Sequence, residues 1–361
     1  MLSLWMAASH KQGCSHLAHA FCMLLLVLGV QSVTLRGTDD GLGLSLTKQS
    51  SKPVPHDATH NFAFGIAPEK WKATSSLRGN DTKKTMLFSP YIPGRTPHVY
   101  HTEAEYYEQY SKAFFGITKK RGGWDCMRHY EIIMSGSIPY FLDLDKMPAG
   151  TMTSFPRELI ATAMKLPGVP SQAEVNESMH NGKVPQLDLA KFDTAAYTKI
   201  HHELMKYAEK NLLSTSMAAK LVPSPASHKV ARVLIHSIKD SVGYGLFFLV
   251  NGLVNNGHSV CARPEEMLKS MRDDNTYPFW MLYGNGYSYA GTVDHTKLPQ
   301  DCSKGPFDYY LLVADGNKDY PEPDPDVTKT AGKIIAINAN DRWGANKPIP
   351  AIATEYFVRE G

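Results

Sequence analysis

Short apolar runs alternate with amphipathic stretches along the chain from about Phe62 onward. Runs of four or five mostly apolar residues, bounded by Gly, Pro or Asp, predict strands, and apolar side chains at helical spacing predict helices. Thr102 and Glu105 form a capping box before the first of these helices. The predicted strands are 85–88, 114–117 and 138–142, and the predicted helices are 103–113, 124–134 and 155–165. This alternation predicts βαβ units and a parallel sheet.

The alternation starts again in the second half of the chain, after a break with the sequence PSP at 223–225. A long amphipathic stretch at 194–219 precedes the break and predicts one helix. After the break, the predicted strands are 230–235, 259–262, 309–314 and 333–338, and the predicted helix is 244–255. The sequence therefore predicts an α/β protein of two Rossmann-like domains, at 61–222 and 228–361, which meet near the prolines.

The amino-terminal segment Leu17–Val33 is apolar over a length between a signal-peptide core and a membrane span. Residues 1–33 are therefore predicted to be a cleaved signal peptide or a signal anchor, with the rest of the chain in the lumen. The polar stretch that follows predicts a flexible linker at 34–60. Sequons at Asn80 and Asn176 are predicted glycosylation sites. Together these features predict the secretory pathway, either as a type II protein of the Golgi or ER membrane or as a secreted protein.

Charge and cysteine content exclude several classes of protein. The chain of 361 residues has 38 basic and 35 acidic side chains, a net charge of +3, and its basic residues are scattered. This balance argues against a nucleic-acid-binding protein, which would concentrate Lys and Arg on one face. The five cysteines show neither a CxxC pair nor a metal-ligand spacing, so no metal site is predicted. A disulfide between Cys261 and Cys302 stays open at this stage.

The segment 122–141, GGWDCMRHYEIIMSGSIPYF, carries the most specific pattern in the sequence. Two glycines lead into a helix that carries Arg128 and Glu131, a small-residue break follows at Gly136, and a strand starts at Ile138. This segment resembles the donor-binding helix of GT-B glycosyltransferases, particularly exostosin-like members. The runs FSPYIPG, EAEYYEQY, FPRELI, LYGNGYSYAG and YFVREG resemble poorly characterised exostosin-like proteins of algae and large viruses.

This resemblance implies a two-domain GT-B fold and a nucleotide-sugar donor bound by Gly122, Gly123, Trp124, Arg128 and Glu131. In that family the glutamate contacts the ribose and a nearby basic residue meets the diphosphate. The residue chemistry suits these roles, because a glycine-rich helix N-terminus admits a diphosphate and a carboxylate accepts from two vicinal hydroxyls. GT-B enzymes usually carry the donor motif in the C-terminal domain, whereas here it lies in the first half of the chain.

Several polar motifs have structural alternatives. Arg128 and Glu131 share a helix face and also suit a solvated ion pair. The GYG run at 243–245 follows a strand and opens a helix, as in dinucleotide-binding folds, but it lacks the third glycine. The DLD run at 143–145 has the letters of a metal-binding DxD motif, with an acidic turn as the alternative. The aromatic loop 283–289 suits either stacking on a sugar ring or a hairpin turn.

The sequence thus predicts a glycosyltransferase that moves a sugar from a nucleotide sugar to a glycan, protein or lipid acceptor, with no cofactor or bound metal. Arg128 and the helix N-terminus would stabilise the departing diphosphate. His129 is a candidate acid or base, with core packing as its alternative. The second hypothesis is a non-catalytic lumenal or cell-surface carbohydrate-binding or interaction protein on a degenerate transferase fold. The third hypothesis, a Rossmann-type oxidoreductase or methyltransferase in the second domain, depends on the glycines at 243–245 alone.

Overall fold

A computed structural model describes the chain with gaps. The described residues are 34–38 and 41–45 (backbone only), 59–79, 84–89, 100–224, 229–238, 243–265, 268, 271–272, 287–289, 291–299, 301–303, 305–316, 319–341 and 348–360. The chain divides into two compact units, Met1–Pro53 and Val54–Gly361. In the first unit, β1 (Thr34–Thr38) and β2 (Gly41–Ser45) form an antiparallel hairpin inside the predicted linker.

The predicted signal segment 17–33 and the sequon at Asn80 lie outside the described residues. No helix within the described ranges is long and apolar enough to span a membrane. The second unit begins with β3 (Thr59–Asn61), followed by the short helices α1 (Pro68–Ala73) and α2 (Ser75–Arg78).

A three-stranded parallel sheet forms from the first half of the second unit. Its strands are β4 (Met86–Phe88), β5 (Ala113–Thr118) and β6 (Ile138–Phe141), connected by α3 (Glu103–Ser111) and α4 (Met127–Met134). The order is β4-β5-β6, and both pairings are parallel. The capping box of Thr102 and Glu105 is confirmed at the start of α3. Stacked and edge-on rings of Phe88, Phe115 and Tyr140 fill one face of this sheet.

Four helices follow the three-stranded sheet: α5 (Arg157–Ala163), α6 (Gln172–His180), α7 (Thr194–Asn211) and α8 (Ser214–Leu221). The prediction of one continuous helix over 194–219 is therefore wrong. The chain is extended at Leu213, because Ile66 N–H donates to the Leu212 carbonyl and Ser214 N–H donates to the Ile66 carbonyl. These two bonds take backbone groups away from the helical ladder, and α8 begins in a new direction.

A six-stranded parallel sheet forms mainly from the second half of the chain. Its further strands are β7 (Arg232–Ser237), β8 (Ser259–Arg263), β9 (Tyr309–Ala314), β10 (Lys333–Asn338) and β11 (Glu355–Val358), with α9 (Tyr244–Asn255) after β7 and α10 (Pro325–Thr330) after β9. The order is β3-β11-β10-β9-β7-β8, and every pairing is parallel. The chain moves outward from β7 to β8, then returns past β7 and proceeds the other way from β9 to β11. The direction of winding therefore reverses between β7 and β9, at a topological switch point.

The two sheets share one hydrophobic core. Its buried residues include Phe115 and Ile132 from the first half and Val233, Phe247 and Ile335 from the second. The helices α8 and α9 pack so closely that a Cβ at Gly252 would lie 2.2 Å from the Ser214 carbonyl oxygen. Strand β3, close to the predicted start of the first domain, pairs with β11 of the second half. The predicted boundary near 222–228 thus separates two sheets but not two cores.

A disulfide joins Cys261 in β8 to Cys302, which settles the pairing that the sequence leaves open. It lies on the opposite face of the six-stranded sheet from α9, in a smaller apolar cluster. That cluster consists of Leu234, Cys261, Phe307, Tyr310, Leu312, Val327 and Ile334. The bridge ties the loop before β9 to the edge strand of the sheet.

Candidate functional site

A cleft of about 300 Å³ lies where the segment 121–131 faces the six-stranded sheet. One wall consists of Arg121, Gly122, Gly123, Asp125, Cys126, Met127, Arg128 and Glu131. Opposite are Tyr244, at the start of α9, and Asp341, which follows β10. Because α9 follows β7, both residues lie at the carboxyl edge of the parallel sheet. This edge is where ligands bind in open α/β sheets.

The structure brings four of the five predicted donor-site residues together in this cleft: Gly122, Gly123, Arg128 and Glu131. Trp124 is not among the lining residues. Its side chain is buried at 5% exposure, and Lys120 Nζ lies 5.4 Å from the centroid of its ring. Its carbonyl oxygen is 2.8 Å from His129 Nε2. Trp124 therefore packs into the core and does not line the cleft.

The helix that carries Arg128 starts at Met127, three residues later than the predicted start at Trp124. The preceding residues are held extended by bonds to distant parts of the chain. Asp125 N–H donates to Glu360 Oε1 at 2.9 Å, and Asp125 Oδ2 accepts from the Phe64 N–H at 2.6 Å. The side chain of Cys126, the N-cap residue, accepts no hydrogen bond from the first turn. The N-terminus of α4 therefore opens at the cleft.

A buried arginine connects this loop to the carboxyl edge of the sheet. Arg359, directly after β11, is 0% exposed, and its Nη1 donates to the Asp125 carbonyl at 3.2 Å. Its Nη2 donates to Asp341 Oδ1, and its guanidinium lies 4.4 Å from the centroid of the Phe64 ring. Glu360 is also buried and pairs with Arg359. One cation is thus shared by several acidic groups.

Burial and charge act in opposite directions within this network. Burial raises the pKa of Asp125 and of Glu360, and the neighbouring Arg359 opposes both shifts. For Arg359, burial lowers the pKa, but Asp125, Asp341 and Glu360 outweigh it, so the net shift is upward. Gly123 is required at this contact, since a Cβ there would lie 2.3 Å from Glu360 Oε1. The network therefore holds the loop that contains Gly122 and Gly123 (the glycine loop) against Asp341 and Glu360.

Glu131 is buried at 9% exposure, and its carboxylate accepts hydrogen bonds from two hydroxyl groups. Tyr106 donates to Oε2 at 2.5 Å, and Ser288 donates to Oε1. The alternative of a solvated helix face at this residue is therefore wrong. The Tyr106 ring lies 5.6 Å from that of Tyr287, and both residues line the cleft. Within the aromatic loop, residues 287–289 are described and Tyr283 is not.

The N-terminus of α9, which includes the GYG run, already holds a carboxyl group of the protein. Asp315, directly after β9, lies against it, and a Cβ at Gly243 would be 1.7 Å from Asp315 Oδ2. Asp315 Oδ1 accepts from the Gly316 N–H at 2.6 Å. Among the described residues, Asp315 Oδ2 has no hydrogen-bond partner. An acidic side chain at this position disfavours a pyrophosphate there, which argues against the dinucleotide-binding alternative.

We expect Asp315→Asn to stabilise the protein at neutral pH. Burial raises the pKa of Asp315 from 3.8 to about 6, against the opposing effects of Arg359 and the N–H groups of Gly316 and Leu246. The folded state therefore favours the protonated carboxyl. The stabilisation of the folded state that comes from protonated Asp315 is complete below pH 3.8 and is lost as the pH rises through 6. The shift corresponds to about 3 kcal/mol at pH 7.5, which is the upper limit of the gain.

The measurement is urea unfolding of the parent and of Asp315→Asn at pH 7.5 and pH 5. The gain in stability from Asp315→Asn should be about half as large at pH 5 as at pH 7.5, because Asp315 in the folded parent is mostly protonated at pH 5. Asp326→Asn is the control, since its side chain is 94% exposed. A loss of stability at pH 7.5 would show that the charged form of Asp315 is the stabilising one.

The other predicted polar motifs have structural roles. His129 is fully buried, with Nδ1 2.9 Å from Thr118 Oγ1, and burial lowers its pKa to about 3. The neutral ring is held in the core, so its prediction as a catalytic acid or base is wrong. In the DLD run, Asp143 accepts from the Lys120 N–H at 3.1 Å, as an acidic turn requires. Asn176 is exposed on α6, as a glycosylation site must be.

Asp315, Asp341 and Arg359 are among the charged residues at or beside the site that were not predicted from the sequence. Each follows a strand of the six-stranded sheet at its carboxyl end, within three residues. An available signal was the charged residue after each apolar run, as in YYLLVAD and YFVRE. The sequence predicts β9 and β10, but it predicts neither β11 nor that the carboxyl ends of these strands face the segment 121–131.

Comparison with known proteins adds no assignment to this geometry. No protein-family model matches the chain, and neither a curated protein nor a solved structure is significantly similar to it.

Proposed function

We propose that this chain is a glycosyltransferase that binds a nucleotide-sugar donor in the cleft. The observation that carries the proposal is the position of Gly122, Gly123, Arg128 and Glu131 on one wall of a cleft at the carboxyl edge of a parallel sheet. The motif was identified from its resemblance to a donor-binding helix, and the position of the cleft is independent of that resemblance. The two parallel sheets support the finer proposal of a GT-B-like pair of Rossmann-like halves.

The diphosphate of the donor is assigned to Arg128 and the first turn of α4. An uncapped helix N-terminus presents N–H groups to an anion, and Arg128 is in that first turn. Arg121 lines the same wall and adds positive charge at the exposed rim. When the sugar leaves, negative charge develops on the diphosphate, which is where these groups stabilise it.

The nucleoside is assigned to Glu131 and its aromatic neighbours. A carboxylate has about four acceptor sites, so Glu131 can accept from a ribose hydroxyl in addition to Tyr106 and Ser288. The rings of Tyr106 and Tyr287 offer apolar faces beside it, which suit a base or a sugar ring.

We further propose that the protein works in the secretory pathway, secreted or held in the Golgi or ER membrane through residues 1–33, on a glycan, protein or lipid acceptor. The disulfide between Cys261 and Cys302 supports this location, because such bonds persist in oxidising compartments.

We expect Arg128→Ala to weaken the binding of UDP and GDP by about 1.5–3 kcal/mol, the range for a hydrogen bond to a charged group. This loss equals a roughly 10- to 150-fold rise in Kd. Glu131→Gln should weaken the nucleoside diphosphates but leave inorganic diphosphate binding nearly unchanged, because the carboxylate is assigned to the ribose. Isothermal titration calorimetry on both variants and the parent measures these constants.

Lys119→Ala is the matched control, since it removes a neighbouring cation that does not line the cleft. Should both test variants bind every nucleotide as the parent does, the donor site is not in this cleft. A parent protein whose thermal midpoint rises with glycans but not with nucleoside diphosphates would favour the second function, a carbohydrate-binding protein. The paired tyrosines are the feature that favours that function.

A further inference from the structure

Three carboxylates line the cleft, and they differ in what their oxygens already bind. Both oxygens of Asp125 and both oxygens of Glu131 accept hydrogen bonds from neighbouring groups, and both residues are buried. Asp341 has a side chain that is 53% exposed, and its Oδ1 accepts from Arg359. Within the described part of the chain, Asp341 Oδ2 accepts no hydrogen bond. Asp341 therefore has a carboxylate oxygen available to a substrate.

The direction of that oxygen is fixed by its surroundings. Arg359 is fully buried and holds Oδ1, so rotation of the carboxylate would break a bond to a side chain that cannot reach water. On the other side, a Cβ at Gly122 would lie 2.8 Å from Asp341 Oδ2. Asp341 Oδ2 therefore faces the glycine loop that lines the cleft, in an orientation set before any substrate arrives.

We infer that Asp341 is the general base of the reaction, an inference that rests on the proposed glycosyl transfer. The acceptor hydroxyl oxygen forms a bond to the anomeric carbon of the donor sugar, and its proton moves to Asp341 Oδ2. The bond between the anomeric carbon and the phosphate oxygen breaks, and its electron pair leaves on the nucleoside diphosphate. The proton then passes from Asp341 to water. This single displacement inverts the configuration at the anomeric carbon.

The test uses the full chain with UDP-glucose, UDP-galactose, UDP-N-acetylglucosamine, GDP-mannose and GDP-fucose, and it measures release of the nucleoside diphosphate. Water and azide serve as the two acceptors. Asp341→Asn keeps an oxygen that accepts from Arg359 but cannot take up the proton. We expect it to lower turnover with water by about 100- to 10,000-fold while the Kd of the donor changes less than about threefold.

Azide distinguishes a base from a structural residue, because azide attacks without losing a proton. Turnover with azide should therefore stay within about tenfold of the parent in Asp341→Asn, and the glycosyl azide should have inverted configuration by NMR. Asp326→Asn, which removes an exposed carboxylate outside the cleft, should leave both rates unchanged.

The outcomes separate the two proposals. If the parent turns over a donor but Asp341→Asn matches it with water, or loses water and azide turnover equally, Asp341 is not the base and the transferase proposal stands. A glycosyl azide with retained configuration would likewise show that Asp341 is not the base, and the transferase proposal would stand. If the parent releases no nucleoside diphosphate from any of these donors with either acceptor, both proposals are overturned.

Discussion

Replacement of Arg359 by alanine is expected to lower the free energy of unfolding by about 3–5 kcal/mol at pH 7.5. The guanidinium is the cation shared by the buried Asp125 and Glu360 and by Asp341, and it also covers the Phe64 ring. Without it, acidic groups remain in a region with little water, where uncompensated charge is costly. The thermal midpoint should fall on the order of 10 °C.

The pH dependence of this loss is part of the expectation. Without Arg359, the pKa values of Asp125 and Glu360 should rise further, because the opposing charge is gone. As the pH falls, protonation of Asp125 and Glu360 removes the uncompensated charge from the variant. The loss in its free energy of unfolding relative to the parent should therefore be smaller at pH 5.5 than at pH 7.5. Urea unfolding at both pH values measures it.

Two further variants calibrate the result. Arg359→Lys keeps the charge but not the planar group that contacts two acceptors, so its loss should be intermediate. Lys329→Ala breaks a pair whose side chains are 72% and 94% exposed, and it should cost at most about 1 kcal/mol. A loss below 1 kcal/mol for Arg359→Ala would mean that the buried network does not hold the glycine loop in place.

Removal of the disulfide is expected to cost about 4 kcal/mol of stability. The two cysteines are 41 residues apart, and closing a loop of that length in the unfolded chain gives about this value in the chain-entropy model. Cys302→Ser tests it with little disturbance of packing, because Cys302 is half-buried whereas Cys261 is fully buried.

Reductant provides the internal control for this experiment. Dithiothreitol should lower the urea midpoint of the parent to that of Cys302→Ser and should leave the midpoint of the variant unchanged. If the reduced parent is as stable as the oxidised one, the loop from 261 to 302 is ordered without its bridge, and the estimate fails.

Local sequence patterns were sufficient to predict seven strands of the two parallel sheets, but they predicted neither β3 nor β11, and not every helix. Strands 309–314 and 333–338 and helix 244–255 lie where the pattern predicts them, because long apolar runs between turn residues are unambiguous. The helix over 194–219 has an amphipathic pattern throughout, yet it breaks at Leu213. The break comes from backbone bonds to Ile66, which lies about 150 residues earlier and leaves no trace in the local pattern.

The candidate site was likewise predicted from the sequence only in part. Gly122, Gly123, Arg128 and Glu131 lie within ten residues, so one motif was enough to place them on a common wall. Arg359 and Asp341 face that wall from the far end of the chain, and no periodicity relates them to it. The start of α4 was misplaced for this reason, since the bonds that keep Asp125 extended come from Glu360 and Phe64.

The pairing of β3 with β11 has a consequence for biosynthesis. Residues 59–61 are synthesised long before their partners at 356–358. The edge of the sheet therefore stays open until β11 has been made, and the glycine loop lacks Arg359 and Glu360 until the same point. A nascent chain that has not yet reached β11 would contain β3 to β10 and still lack the groups that hold its cleft together. Contacts of such long sequence separation also form slowly, which prolongs the period when chaperones are needed.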